Sequence, residues 1–139
     1  IGMSQGADGQ LYSVDSTRGN KQLGLVSYPL QWGKNNAAGN EYLRFGGDAR
    51  DGAAGVTLIK PGTIVGISIL GTNATNVAEF EIEVDGVQVG STYTTTAGVY
   101  VDATLNIDVD LGEYVNLFAN NVATELEDVY AVIWIKDRL

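Results

Sequence analysis

Between Ala78 and Leu111 the chain alternates apolar and polar positions with a period of two. Phe80, Ile82 and Val84 interleave with Glu79, Glu81 and Glu83. Successive side chains of a strand point to opposite faces, so this segment is predicted to be a half-buried strand with a carboxylate stripe outside. Asp85-Gly86 follows. That dipeptide marks a two-residue hairpin, because both central residues of a type I′ turn need positive φ. Such a loop pairs Val84 with Val87 and Ile82 with Val89, apolar against apolar. From Val99 onward the alternation resumes. Val99, Val101, Ala103, Leu105, Ile107, Val109 and Leu111 are predicted to share a dry face, and Tyr100, Asp102, Thr104, Asn106, Asp108 and Asp110 a wet one.

The remaining segments read the same way. Residues 1–22 are polar and glycine-bearing, with one apolar cluster at Leu11, Tyr12 and Val14. They predict an extended arm or tether, with one short strand near 10–14, ahead of a domain over 23–139. LGLVSYPL (23–30) predicts a strand ended by Pro29, which has no N–H for a ladder and belongs on an edge or at a terminus. QWGKNNAAGN (31–40) predicts a loop by composition. EYLRF (41–45) is a short strand, GGDARDGAAG (46–55) a glycine-rich turn region, and 56–60 a further strand. Lys60-Pro61-Gly62-Thr63 fits a type II turn with Gly at the position of positive φ. TIVGISILG (63–71) is continuous enough in apolar residues for a strand buried on both faces. Gly112-Glu113 turns the chain into YVNLFA (114–119), and a polar loop over 120–127 precedes DVYAVIWIK (128–136). In that last strand Val129, Ala131, Ile133 and Ile135 face one side and Tyr130, Val132 and Trp134 the other, and neither side is polar. No stretch has helical period. The expectation is an all-β protein: an antiparallel β-sandwich of jelly-roll type with about eight to nine strands.

Composition narrows the chemistry. With 139 residues, a single domain with a core of its own is expected. The 18 glycines fit many tight turns. A formal net charge of −9 repels nucleic acid and anionic membrane surfaces, so neither is an expected partner. There is no cysteine and no histidine. That removes disulfides, thiolate nucleophiles, the usual Ser-His-Asp and Cys-His catalysts, and the commonest zinc ligand. No apolar run approaches the length of a membrane span. The opening IGMSQGADGQ lacks the basic and apolar segments of a signal peptide. A phosphate-cradling reading of 46–55 fails for want of a Lys-Ser/Thr pair and a following helix. Asn73-Ala74-Thr75 is formally a glycosylation sequon and is read as chance.

Three groups remain as candidate sites. Asp102, Asp108 and Asp110, predicted to share a strand face, are candidate Ca²⁺ ligands, set against a solvated acidic face; no calcium-loop spacing accompanies them. Trp32, with Tyr28 or Tyr42 nearby, is a candidate stacking platform for a sugar, set against a core-capping tryptophan. Tyr130, Val132 and Trp134 are either core or a seam between copies of the chain, since aromatic residues are enriched at interfaces. No catalytic constellation and no cofactor motif is present, and the chain is not expected to be an enzyme.

Residues 54–136 also carry a family resemblance. AGVTLIKPGTIVGISILG, the acidic-apolar hairpin around Asp85-Gly86, VDATLNIDVDLGEYVNLFANN and VYAVIWIK resemble the jelly-roll domains of bacteriophage virion proteins. More widely they resemble the C1q/TNF-like trimeric jelly rolls, in which a "Gly-Asp-x-Val" turn precedes a late core strand. Gly112-Glu113-Tyr114-Val115 stands in that place here, and Trp134 occupies a final strand that lacks the Phe-x-Gly pattern of C1q domains. The resemblance implies a head-decoration or head-fibre protein, assembled as a homotrimer on the outer capsid surface. Its partners would be itself and the major capsid protein or another virion component, with residues 1–22 as the attachment arm. The alternative is an extracellular carbohydrate-binding or adhesion module, such as a fibre knob, whose partner is a host-surface glycan.

Overall fold

The computed structural model describes residues 2–5, 11–15, 19–22, 27–46, 55–72, 77–120 and 126–138. Near the N-terminus β1 (Gly2–Gln5), β2 (Leu11–Asp15) and β3 (Gly19–Gln22) pair in sequence order as a three-stranded antiparallel sheet. The arm expected over 1–22 thus contains three strands where one was expected. The other strands are β4 (Ser27–Ala38), β5 (Glu41–Tyr42), β6 (Arg44–Phe45), β7 (Val56–Thr57), β8 (Gly62–Thr72), β9 (Glu79–Val84), β10 (Val87–Thr94), β11 (Val99–Asp102), β12 (Ile107–Val109), β13 (Tyr114–Ala119) and β14 (Leu126–Asp137). No helix occurs among the described residues, so none there is long and apolar enough to cross a membrane.

These strands form two antiparallel sheets packed as a sandwich. One has the order β10-β9-β13-β5, with β7 also on β13; the other has the order β11-β8-β14-β4-β6, with β12 also on β8. The pairing is nested: β9 with β10, β8 with β11 and β12, β13 with β5 and β7, β14 with β4. First pairs with last and the innermost two form the hairpin, which is a long antiparallel ribbon rolled into two layers, a jelly roll. Breaks in two of its eight arms, β5–β7 and β11–β12, raise the segment count above eight.

Alternation explains why the layers adhere. Across the six-stranded sheet Tyr100, Ile69, Ala131 and Trp32 lie side by side on the inner face, as do Ile107, Ile64, Ile135 and Tyr28. The facing layer contributes Phe80, Ile82, Val84, Val115, Leu117 and Ala119. The hairpin has the predicted register, Val84 opposite Val87 and Ile82 opposite Val89. Asp85 and Gly86 take φ of 52° and 76°, as a type I′ turn requires.

Five expectations are corrected. Residues 31–38 are strand, not loop: β4 runs through Pro29, which sits opposite Trp134. β6 touches β4 only at Trp32 and Gly33, so Pro29 lies where one side of β4 has no strand partner among the described residues, and its missing N–H interrupts no ladder. Gly62 does not adopt positive φ and opens β8 instead of a type II turn; a Cβ there would lie 2.6 Å from Ile135 Cγ2, so glycine is needed for close approach. Residues 41–45 are not one strand: Tyr42 pairs with Phe118 in one sheet and Arg44 with Gly33 in the other, with buried Leu43 at the corner. Residues 99–111 do not keep one dry face. In β8, Ile64 pairs with Ile135 and Gly66 with Trp134, leaving Val65 as an extra residue, a β-bulge. An extra residue reverses which side chains point inward. Tyr100 therefore faces the core while Val99 and Val101 face out, and the inward set returns to Ile107 and Val109 only after the non-strand residues 103–106. β8, expected to be buried on both faces, is one-sided toward its end, where none of the described residues covers the outer face of the sheet and Leu70 is exposed. Residues 47–54, 73–76 and 121–125, with Asp48, Arg50, Asp51 and the sequon, lie outside the described residues.

Candidate functional site

The bulge and the register together build the outer face of the six-stranded sheet. Cross-strand partners lie on one face, so the rows can be followed directly. Val99, Leu70, Tyr130, Gly33 and Arg44 form one row; Val101, Ser68, Val132 and Gln31 the next; Gly66, Trp134 and Pro29 a third. Apart from Arg44 at the margin, none of these positions is charged. Val101 is 69% exposed, Leu70 57%, Tyr130 48% and Trp134 42%, with Val132 almost covered between the two aromatics. Tyr130, Val132 and Trp134 thus stand where the sequence placed them, on the second face of the last strand. Val99 and Val101, which join them, were assigned to the dry side, because the Val65 bulge leaves no mark in the sequence pattern, and Leu70 to a strand covered on both faces, because its apolar run is unbroken.

The outer face of the other sheet is of opposite character. It carries the carboxylate stripe, but not as a fully wet row. Glu79 is exposed, Glu81 accepts a 2.9 Å bond from Asn120 Nδ2, and Glu83 is only 9% exposed and accepts a 2.7 Å bond from the Tyr42 hydroxyl. The bond to Glu83, together with desolvation, holds the Tyr42 phenol up at about 12. The neutral phenol is the donor, so this contact contributes fully below pH 10 and is lost as pH rises from 10 through about 12. In an absorbance titration compared with Tyr42→Phe, the Tyr42 transition is expected near pH 12. A transition near 10 would show that the bond does not persist in solution.

The sugar platform expected at Trp32, Tyr28 and Tyr42 is not assembled. Trp32 is 1% exposed, on the inner face of β4, with Phe45 edge-on at 5.4 Å. Tyr28 is on the same sheet; Tyr42 belongs to the other, against Phe118 at 5.0 Å. A fully buried indole presents no ring to a ligand. Its period-two spacing from Tyr28 and Leu30 is the signal that identifies Trp32 as a strand residue.

The three candidate calcium ligands are also separated. Asp102 accepts 2.7 Å bonds from Thr104 N and Oγ1 at the end of β11, and these bonds hold its carboxyl below the ordinary value. It shares the inward register of Ile67, whereas Asp108 and Asp110 point out and are held by Arg138 at 3.1 Å and 2.5 Å. Among the described residues no group of three acids, histidines or cysteines is arranged to hold a metal ion. Arg138 also donates to the Val109 carbonyl, and its backbone N–H to that of Pro61. It closes the end of the last strand onto the turns beside it. Arg138→Ala is expected to cost about 1 kcal/mol, since partly exposed ion pairs are individually weak. Thermal melting checks this, with a fall of roughly 3 °C; an unchanged midpoint would remove the staple role.

No protein-family profile matches the chain, and no curated protein matches it. One solved structure, described as the carbohydrate-binding module CBM36 in complex with calcium and xylotriose, aligns with 97% of this chain and 91% of its own, at 15% identity and a TM-score of 0.35. A likeness that loose carries neither the calcium nor the sugar over to this chain.

Proposed function

We propose that this chain is a structural assembly protein: a jelly-roll protomer that forms a homotrimer through the outer face of its six-stranded sheet. Following the resemblance of residues 54–136 to phage virion jelly rolls, we place the trimer on the outer surface of a capsid, as a decoration or head-fibre protein partnered by the major capsid protein or another virion component. The observation that carries self-assembly is the contrast between the two outer faces. One presents Val99, Val101, Leu70, Tyr130 and Trp134 on adjacent strands with no carboxylate among them; the other holds Glu79, Glu81 and Glu83. A charge-depleted patch with exposed aromatics has the composition of an interface core. Copies of a chain with net charge −9 repel one another except where such a face meets its like. Cyclic closure also removes the association surface, which an open arrangement would leave free to extend.

The acidic side then faces outward and keeps particles apart. No catalytic role is proposed. Light scattering at micromolar concentration tests the first half of this reading. The expected mass is three times the 14.7 kDa of the chain, and a single-chain mass would overturn it. The virion half is tested by the flanking genes, which on this reading encode capsid or tail proteins.

A further inference from the structure

Each exposed aromatic of the outer face stands beside a glycine. Trp134 pairs directly with Gly66, and Tyr130 with Gly33. A recess lies beside each of these pairs. Over Gly66 there is a cleft of about 400 Å³, bounded by Ser27, Val65, Ser68, Val101, Asp102 and Ala103, with Trp134 as one wall. Over Gly33 there is another of about 470 Å³, of mixed charge, flanked by Lys34, Asn35, Arg44, Asp128 and Tyr130. The first has a structural cause. The Val65 bulge and the departure of residues 103–106 from the sheet open the surface between β8 and β11. Glycine suits this close approach of two backbones, since a Cβ at position 66 would lie 3.0 Å from the Asp102 carbonyl oxygen. One surface thus carries two large, stiff, apolar side chains and two recesses beside them.

We infer that the seam between copies is of the knob-into-hole kind, with Trp134 of one copy seated in the Gly66 cleft of the next and Tyr130 over the Gly33 depression. This rests on the self-assembly reading above and deepens it. The occupant is a second copy for two reasons on this surface. Asp102 is the one charged side chain bounding the Gly66 cleft, and its carboxylate is taken up by Thr104 N and Oγ1, so a chain that is acidic elsewhere meets less repulsion there than at the carboxylate stripe. The knobs and holes also lie on the same face, so every copy supplies both. Tyrosine and tryptophan in desolvated pockets are the side chains that dominate interface energetics. Placing the partner's Trp134 in the cleft makes the contact directional, which specifies a ring and opposes random face-to-face adhesion.

A size-swap experiment tests the inference. Ser68 lies on the outer face at the cleft, so Ser68→Phe fills it without touching the core. Gly33→Leu fills the other depression, where a Cβ would meet only the Val129 carbonyl oxygen, at 3.4 Å. Each is expected to raise the concentration at which the trimer dissociates by about tenfold or more. Trp134→Ala weakens assembly by removing the knob. The double variant Ser68→Phe with Trp134→Ala, in which the filled hole meets a shortened knob, is expected to regain most of what Ser68→Phe alone loses. Circular dichroism on dilute protein checks that every variant is folded. Unchanged dissociation in Ser68→Phe, or no recovery in the double variant, overturns the knob-into-hole seam while the wild-type trimer mass stands. A wild-type mass of one chain removes the self-assembly reading itself.

Discussion

Tyr130→Asp combined with Trp134→Asp is expected to convert the assembly into folded single chains. In an isolated chain both side chains are roughly half exposed. A carboxylate at either position stays in water, and the cost to the single fold is about 0.5 kcal/mol or less. In the trimer the same carboxylates would be enclosed without partners. An uncompensated buried charge costs about 3–5 kcal/mol, and each 1.4 kcal/mol is a factor of about ten in affinity. Association should therefore fall by more than about a hundredfold. The measurement is the mass by light scattering beside a far-ultraviolet dichroism spectrum: one chain, spectrum unchanged. Assembly that survives both substitutions would place the seam on another surface, and an unfolded spectrum would show that the two aromatics hold the sandwich together.

Trp32→Ala should be among the most destabilising single changes in the chain, with a cost of about 3–5 kcal/mol. The indole is 1% exposed, between Ala131 in the sheet and Phe45 at its margin, and truncation leaves a cavity on the inner face. Domains of this size are stable by only about 5–15 kcal/mol in total, so the melting midpoint should drop by roughly 10 °C or more. The sugar-platform reading of Trp32 predicts the reverse, an unchanged melting curve and a lost ligand. A midpoint within about 2 °C of the wild type would mean that the ring is not in the core.

These two tryptophans show what the sequence makes legible. Trp134 could be placed because β14 alternates cleanly, and its second face was apolar whichever reading held. The hairpin register was legible for a similar reason: Asp85-Gly86 admits one turn geometry, and that geometry fixes the pairing. Trp32 was harder. The polar residues around it suggested a loop and Pro29 suggested a stop, but a proline on the unpaired side of a strand stops nothing. The outer face was only half legible. Tyr130 and Trp134 were found, but Val99 and Val101 were not, because one extra residue at Val65 reverses the parity of the pairing, and Leu70 was not, because an unbroken apolar run reads as covered on both faces. A bulge is a property of the pairing between strands and has no signature in either strand alone. The acids misled for another reason. Alternation places Asp108 and Asp110 on one face, but it says nothing of Arg138, nearly thirty residues on, which neutralises both.

Everything proposed about assembly depends on Trp134 being covered by another copy of the chain. The chain has two tryptophans, so Trp32→Phe leaves Trp134 as the sole indole. Acrylamide quenching of its fluorescence, followed on dilution from micromolar protein, reports that cover directly. Burial in a seam requires an indole shielded at high concentration and quenched increasingly as the mass falls from three chains to one. A Trp134 that is freely quenched at every concentration, while the mass stays at three chains, would contradict it.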